Sequence, residues 1–205
     1  MGYLATKRTL VTAPTEEPVS TAEAKLWLGI SSVTHDALVA GLVAAARQWV
    51  ETNYDVCLVT QTWDVSMDDF PVACWPENPD GAIEPTIYPV QSVTTVKYLD
   101  TNGTQQTVVN TLNVAYTLEA PLNMPVRILR AYDATWPDVR GIQNAVTLRL
   151  VCGFGAASAV PETIKTSIKL MVKLWYDNPE DMRLSGMPWE RSARALLNNL
   201  FTWRL

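Results

Sequence analysis

The sequence predicts an α+β fold, in which a small helical bundle carries an antiparallel β module inserted between its second and third helices. Apolar residues recur with a helical period up to about residue 53 and again after Gly155, but they alternate with a period of two from Leu58 onward. With 205 residues, 48% of them hydrophobic and 18% charged, the chain is long enough to bury a core. We therefore expect an extended arm at 1–19, bundle segments at 20–56 and 156–181, the β module at 57–155 and a docking segment at 182–205.

The first two helices are predicted from a capping signal and from apolar periodicity. Ser20 and Glu23 form a capping-box pattern, which favours a short helix from about Thr21 to Leu28. A second helix is expected over about 36–53, and because it is apolar on two faces it needs cover on more than one side. We expect the second of these faces to pack against a neighbouring subunit. The first face carries Leu38, Leu42, Ala45 and Trp49, and the second carries Val39, Val43, Ala46 and Val50.

The middle of the chain is predicted to be β structure, and helical period returns after it. Asp100-Thr-Asn-Gly103 is a hairpin signal, because Asn-Gly adopts positive φ at little cost. A third helix is expected from Pro161 to about Asp177, and a last one from Pro188 to about Trp203. The remaining strands are expected at about 58–67, 92–99, 104–109, 115–118, 126–131 and 145–152.

Charge is unevenly distributed along an acidic chain. The chain has a net charge of -5, and a negatively charged protein is not expected to bind DNA phosphates tightly over its whole surface. Residues 51–100 hold nine acidic side chains and one basic side chain. Lys165, Lys169 and Lys173 recur every four residues, as one stripe of the third helix. The stripe is either an ordinary solvated face or a contact with passing nucleic acid or with an acidic neighbour.

The C-terminal segment is basic and aromatic. An apolar patch of this size in water favours aggregation, so the segment is expected either to pack back on its own core or to dock into another protein. The residues that we select as docking candidates are Trp189, Arg191, Arg194, Leu196, Leu197, Leu200, Phe201, Trp203 and Arg204.

No pattern in the sequence indicates catalysis, a cofactor or a metal. His35 stands at the start of a helix without a nucleophile motif around it. Gly153-Phe-Gly155 resembles half of a dinucleotide-binding loop but lacks the third Gly, and an exit from the sheet into the third helix explains it better. Asp64, Asp68 and Asp69 lack the other features of a calcium loop. The three cysteines have no ligand spacing, and the tryptophans at 27, 49, 63 and 175 are expected to fill the core.

Several stretches together resemble the head-tail connector (adaptor, head-completion) proteins of tailed bacteriophages. Their order and spacing along 18–178 carry the resemblance more than any one of them does. The stretches are Pro18–Lys25 (PVSTAEAK), Ala44–Glu51 (AAARQWVE), Thr60–Trp63 (TQTW), Val90–Tyr98 (VQSVTTVKY), Val160–Lys165 (VPETIK) and Leu174–Asn178 (LWYDN).

The resemblance implies a structural protein of the virion neck that has no catalytic activity. Members of that family assemble as a ring, here expected to be a dodecamer, beneath the portal protein of the capsid. The ring extends the channel through which double-stranded DNA passes without tight binding, and it joins the capsid to the next neck or tail component. The expected location is the virion, and the host cytoplasm during assembly, with no membrane contact. A tail-completion or other neck protein, and a nucleotide-binding enzyme, are the alternatives.

Overall fold

The structure is a computed structural model, and it describes residues 7–73, 78, 80–109, 115–119, 126–132, 134–179, 192–193 and 195–198. It confirms the α+β class, with helices and a mostly antiparallel sheet. The chain divides into two compact units. The sheet unit consists of the described residues of Met1–Ala13 and Thr60–Gly153, and the helical unit consists of those of Pro14–Val59 and Phe154–Leu205.

The strands of the sheet unit are β1 Lys7–Thr12, β2 Gln61–Met67, β3 Val90–Leu99, β4 Gln105–Thr107, β5 Tyr116–Glu119, β6 Arg127–Arg130 and β7 Val146–Cys152. A five-stranded antiparallel sheet has the order β1-β2-β7-β3-β4, and β5 and β6 form a separate two-stranded sheet. The bridge between Ile83 and Ile128 adds one more segment beside β6.

Alternating burial explains why the central strands form where the sequence predicts them. Every second residue of β7 is buried, from Val146 to Cys152. Val65 of β2 and Val96 of β3 both lie opposite Leu148 of β7, and all three side chains are buried. Burying one such aliphatic side chain contributes about 1.5–3 kcal/mol. The core of the sheet unit is therefore built on the inward face of β2, β7 and β3.

The N-terminal arm differs from its prediction. It is extended as expected, but its residues 7–12 form β1, which pairs with β2 at the edge of the sheet. All six side chains of β1 are exposed. Because no side of this strand is buried, its sequence shows no alternation of apolar and polar residues from which a strand can be predicted.

The predicted hairpin at 100–103 forms as expected. Gly103 has a φ of 85°, and its N–H donates to the carbonyl oxygen of Asp100 at 2.8 Å. The Asp100 carboxylate accepts the N–H groups of Asn102 and Thr104, at 3.0 and 2.9 Å. The backbone bond from Thr104 is the main reason why the pKa of Asp100 lies below its ordinary value.

The helical unit is built from α1 Thr21–Leu28, α2 Asp36–Tyr54 and α3 Glu162–Asp177. A 3-10 turn at Val33–His35 precedes α2, and another at Ala157–Ala159 precedes α3. The predicted bounds of the three helices are confirmed to within one residue. Of the predicted last helix, residues 192–193 and 195–198 are described, and they are helical. Within the described residues, no single helix has the length and apolar composition to cross a bilayer. When α1 and Val33–Tyr54 are counted together they meet both criteria, but the pair is bent by 117°.

Local capping sets the ends of α1. The Ser20 hydroxyl accepts the N–H of Glu23, and the Glu23 carboxylate accepts the N–H of Ser20 at 2.8 Å, which completes the predicted capping box. Gly29 ends the helix in the left-handed conformation, with a φ of 73°. Local sequence therefore determines this element at both ends.

Candidate functional site

His35 makes a contact within the helical unit. Its Nδ1 lies 3.0 Å from the hydroxyl oxygen of Tyr176 in α3, and the two rings meet edge to face with centroids 5.8 Å apart. A nucleophilic device requires a Ser or Cys beside such a histidine, oriented by a third group. The described contact instead joins the start of α2 to α3.

The turn at Gly153 and Gly155 uses its backbone groups within the fold. The N–H of Gly153 donates to the Pro89 carbonyl oxygen at 2.8 Å, and the N–H of Phe154 donates to the Leu58 carbonyl oxygen at 3.0 Å. A phosphate-binding loop needs such N–H groups to point at the ligand. Both glycines have a positive φ, 120° and 126°, which explains why glycine stands there. This geometry supports the interpretation of the turn as an exit from the sheet.

The carboxylates that we considered as calcium ligands have partners inside the sheet unit. Asp64 of β2 binds Arg149 of β7 through two bonds of 2.8 Å, one to each carboxylate oxygen. The bond from Arg149 is the main reason why the pKa of Asp64 lies below its ordinary value, although burial opposes it. Asp68 accepts the N–H of Asn144 at 2.8 Å. Among the described residues, no group of three His, Cys, Asp or Glu side chains is placed to hold a metal ion.

A charged cluster around Arg47 ties the N-terminal arm to α2. The Arg47 guanidinium donates to Glu17 at 2.7 Å and to Glu51 at 2.5 Å, and only 9% of this residue is exposed. Glu51 also accepts the N–H of Leu58 at 3.0 Å. Burial alone lowers the pKa of Arg47, but the bonds and charges of Glu17 and Glu51 outweigh it, so that this pKa lies above its ordinary value. The cluster therefore connects the arm, α2 and the segment that follows α2.

The face of α2 that we expected to contact a neighbouring subunit is inside the protein. Val39, Val43, Ala46 and Val50 are at most 1% exposed. They lie in the core of the helical unit, where α2 packs against α3. The inter-subunit prediction is therefore wrong for these four residues, because they are already buried within the chain itself.

The other apolar surface of α2 is the accessible one. Leu38 is exposed, and Leu42, Ala45 and Trp49 are half-buried. Trp27 of α1 was expected in the core, but 46% of it is exposed, so that prediction is wrong as well. Trp175 is buried as predicted, while Trp63 is half-buried. Periodicity identified both apolar faces of α2, but it does not indicate which of the two is buried within the chain.

The lysine stripe of α3 is not a uniform solvated face. The Lys165 side chain is 8% exposed, and its Nζ lies 2.9 Å from Glu162. The N–H of Ser20 is the main cause of the lowered pKa of Glu23, and the charges of Lys169 and Lys165 contribute less to it. Lys165 is thus too buried to reach DNA or a neighbour, and the prediction is wrong for it. For Lys169 and Lys173 the contact stays a prediction.

Two of the C-terminal docking candidates lie within the described residues. Leu197 is fully buried in the helical unit, whereas Leu196 is half-buried. The next residue, Asn198, accepts the hydroxyl of Tyr54 at 3.0 Å. Leu197 is therefore a core residue, and its assignment to docking is wrong. The candidates outside the described residues are Trp189, Arg191, Arg194, Leu200, Phe201, Trp203 and Arg204.

The fold of this chain is similar to that of chains in solved gene transfer agent (GTA) particles. A chain of the virion of the native GTA particle is 20% identical, with 94% of each chain covered and a TM-score of 0.73. A chain of the neck of the empty particle, computed with C6 symmetry, is 19% identical, with 95% of this chain and 94% of that chain covered and a TM-score of 0.73. A chain of the neck of the native particle, computed with C12 symmetry, is 18% identical over the same shares, with a TM-score of 0.68.

These likenesses define the class of fold. The chain has, over nearly its whole length, the fold of proteins found in the neck of a virion-like particle. That class agrees with the head-tail connector resemblance of the sequence. No protein family profile and no curated sequence matches the chain.

Proposed function

We propose that this protein is a structural head-tail connector of a phage-like virion. Copies of the chain form a ring beneath the portal, and the ring extends the DNA channel and joins the capsid to the next neck or tail component. The observation that carries the proposal is the likeness to a GTA neck chain, with a TM-score of 0.73 and 94% or more of both chains covered. Since the sheet unit and the helical unit are both included at this coverage, the likeness concerns the complete fold.

Cyclic symmetry in the similar particles supports the ring. The two neck structures were computed with C6 and C12 symmetry. A twelvefold axis includes sixfold symmetry, so the two structures can share one axis. The C12 structure favours twelve copies of this chain. A ring closes when each copy contacts the next through two different surfaces. The proposal therefore requires this chain to present one surface to each of its two neighbours.

A role without catalysis and with weak DNA binding follows from the same proposal. The histidine and the glycine turn make contacts within the fold, as described above. A net charge of -5 disfavours persistent contact with a polyanion, which suits a channel that DNA must leave. Saturable binding of labelled ATP or NAD to the purified chain would favour the enzyme alternative instead.

All of the C-terminal docking candidates except Leu197 remain proposed contacts with the portal, and those within residues 199–205 offer the simplest test. Residues 199–205 follow Leu197 and Asn198 and contain Leu200, Phe201, Trp203 and Arg204. Aromatic and Arg side chains are enriched among residues that dominate binding at protein interfaces. Because Leu197 and Asn198 take part in the helical unit, the docking segment has to be tested without removing them.

Deletion of residues 199–205 tests the anchor. The truncated chain is expected to keep the circular dichroism and melting temperature of the full chain but to lose co-assembly with portal in negative-stain images and pull-down experiments. Deletion of residues 1–6 is the control and is expected to leave co-assembly intact. A chain without 199–205 that joins the portal normally would refute the anchor. A full-length chain that joins neither portal nor any other neck component would refute the connector function.

A further inference from the structure

The outward surface of α2 has no polar side chain over nearly three turns. Between Asp36 and Arg47 every residue is Ala, Leu, Val or Gly. The valines of this stretch are buried, but Ala37, Leu38, Ala40 and Gly41 are exposed. A surface helix normally carries polar or charged side chains on the face that it turns to water. The residue composition of this face of α2 is therefore that of a helix face covered by another molecule.

Large apolar side chains beside this face extend it. Leu26 is 83% exposed, Trp27 46%, Val33 75% and Leu38 54%. The ion pair between Lys25 and Asp36, with Nζ and Oδ1 2.5 Å apart, joins the last turn of α1 to the first turn of α2, and the four apolar residues lie next to or within three residues of this pair in the sequence. We call the set formed by Leu26, Trp27, Val33, Leu38 and Gly41 the outer patch.

The exposure and charge of the outer patch define what can cover it. Each of its four large apolar residues is between 46% and 83% exposed, and apolar surface that is exposed in this way commonly marks an interaction site on a soluble protein. The charges next to it in the sequence, on Lys25 and Asp36, are paired with each other. The patch thus suits an apolar protein surface and has no charge with which to attract nucleic acid.

We infer that the outer patch is the surface through which one copy of this chain packs against the next copy in a ring. This inference rests on the proposed connector function, which requires such a surface. The solved neck structures were computed with cyclic symmetry, C6 and C12, and they share the fold over 94% or more of both chains. A second copy is therefore the partner that the comparisons favour over the portal or the next neck component. Contact in a ring is head to tail, so the outer patch meets a different surface of its neighbour.

Gly41 gives the inference a second support. Among the residues that the structure describes, no atom lies within 4 Å of a Cβ built at Gly41, so no described contact requires glycine there. Glycine weakens a helix interior relative to alanine, and its usual compensation is close approach of another backbone. Close approach of a neighbouring copy supplies a reason for glycine that the described contacts do not supply.

Two variants of the full-length chain test the inference. Leu26→Glu with Leu38→Glu places charges in the patch, and Gly41→Gln adds bulk without charge. Both are expected to remain folded, since the side chains are exposed or have open space around them, and Gln favours helix more than Gly does. Sedimentation velocity and native mass spectrometry over a concentration series are expected to show assembly of the wild-type chain and at least about a tenfold weaker self-association constant for both variants.

Val72→Glu with Tyr132→Glu is the matched control. These residues are 66% and 96% exposed but belong to the sheet unit, so the same charges are added outside the outer patch. The control is expected to assemble like the wild type. Patch variants that self-associate normally would overturn the inference, as would a wild-type chain that stays monomeric at its highest soluble concentration. Normal self-association combined with lost portal co-assembly would show that portal covers the patch, and it too would overturn the inference while leaving the connector function intact.

Discussion

At the scale of single residues, Arg47 links two parts of the helical unit through two carboxylates. Its two carboxylate partners, Glu17 and Glu51, come from the N-terminal arm and from α2. Replacing Arg47 with Met leaves both carboxylates without their cation, and breaking a buried pair from one side typically costs about 3–5 kcal/mol. Because Glu17 is partly exposed, we expect the lower end, roughly 3 kcal/mol, in the free energy of unfolding measured with urea.

A double variant separates two effects of replacing Arg47, namely the loss of its attraction to the carboxylates and the cost of leaving their negative charges unneutralised. Glu51→Gln removes one negative charge but keeps an oxygen that can accept the N–H of Leu58. Added to Arg47→Met, it is expected to restore part of the lost stability, because the Glu51 side chain then carries no charge that the missing guanidinium would have neutralised. If the double variant is as unstable as the sum of the two single variants, the cluster contributes by packing of the Arg47 stem and not by its charge.

At the scale of elements, α1 depends on its capping box. This helix has eight residues, too few to be stable without capping and tertiary contacts. Ser20→Ala removes the acceptor for the Glu23 N–H and is expected to lower the free energy of unfolding by about 1 kcal/mol. Ser20→Asp, which keeps an N-cap acceptor, is expected to cost only a fraction of that. Equal losses for the two variants in thermal or urea melts would contradict the capping role.

Local signals explain how much of the fold was predictable. Helix caps, the Asn-Gly hairpin and the alternation of β7 depend on residues close in sequence, and each element that they predict lies where expected. The choice between the two apolar faces of α2 depends on α3, more than a hundred residues away, and periodicity carries no information about it. The same holds for β1, whose exposed side chains leave no pattern, and for Leu197, whose burial depends on the fold of the helical unit and is not visible in the sequence.

The candidate assembly surface was predictable only in part. The sequence showed that α2 is apolar on more sides than one neighbour can cover, and this indicated a partner. Exposure of Leu26, Trp27 and Val33 was not predictable, because a short apolar helix resembles a core element until its packing is known. Resemblance in sequence supplied the class of protein, and the shared fold supports it independently of any local pattern.

At the scale of the whole molecule, three carboxylates make the stability of the chain dependent on pH. The pKa values of Glu23, Asp64 and Asp100 are lowered by bonds from Ser20, Arg149 and Thr104 respectively. In the unfolded chain these groups protonate near pH 4. A lowered folded-state pKa means that the unfolded state binds protons first as the pH falls. The stabilisation is therefore complete above about pH 5. As the pH falls, it is lost between the pKa values of the unfolded chain and the lower pKa values of the folded chain.

Urea unfolding at a series of pH values between about 7 and 2.5 measures this dependence, since that interval spans the carboxylate pKa range. The free energy of unfolding of the wild-type chain is expected to fall steadily below about pH 5. Asp64→Asn cannot titrate at that position, and Asn reproduces only part of the paired geometry with Arg149. The variant is thus expected to be less stable than the wild type at pH 7, and the difference is expected to shrink towards pH 2.5 as Asp64 of the wild type protonates. A difference that stays constant over this range would mean that the Asp64 charge contributes nothing, and that the pairing of β2 with β7 is maintained by its backbone bonds and buried side chains alone.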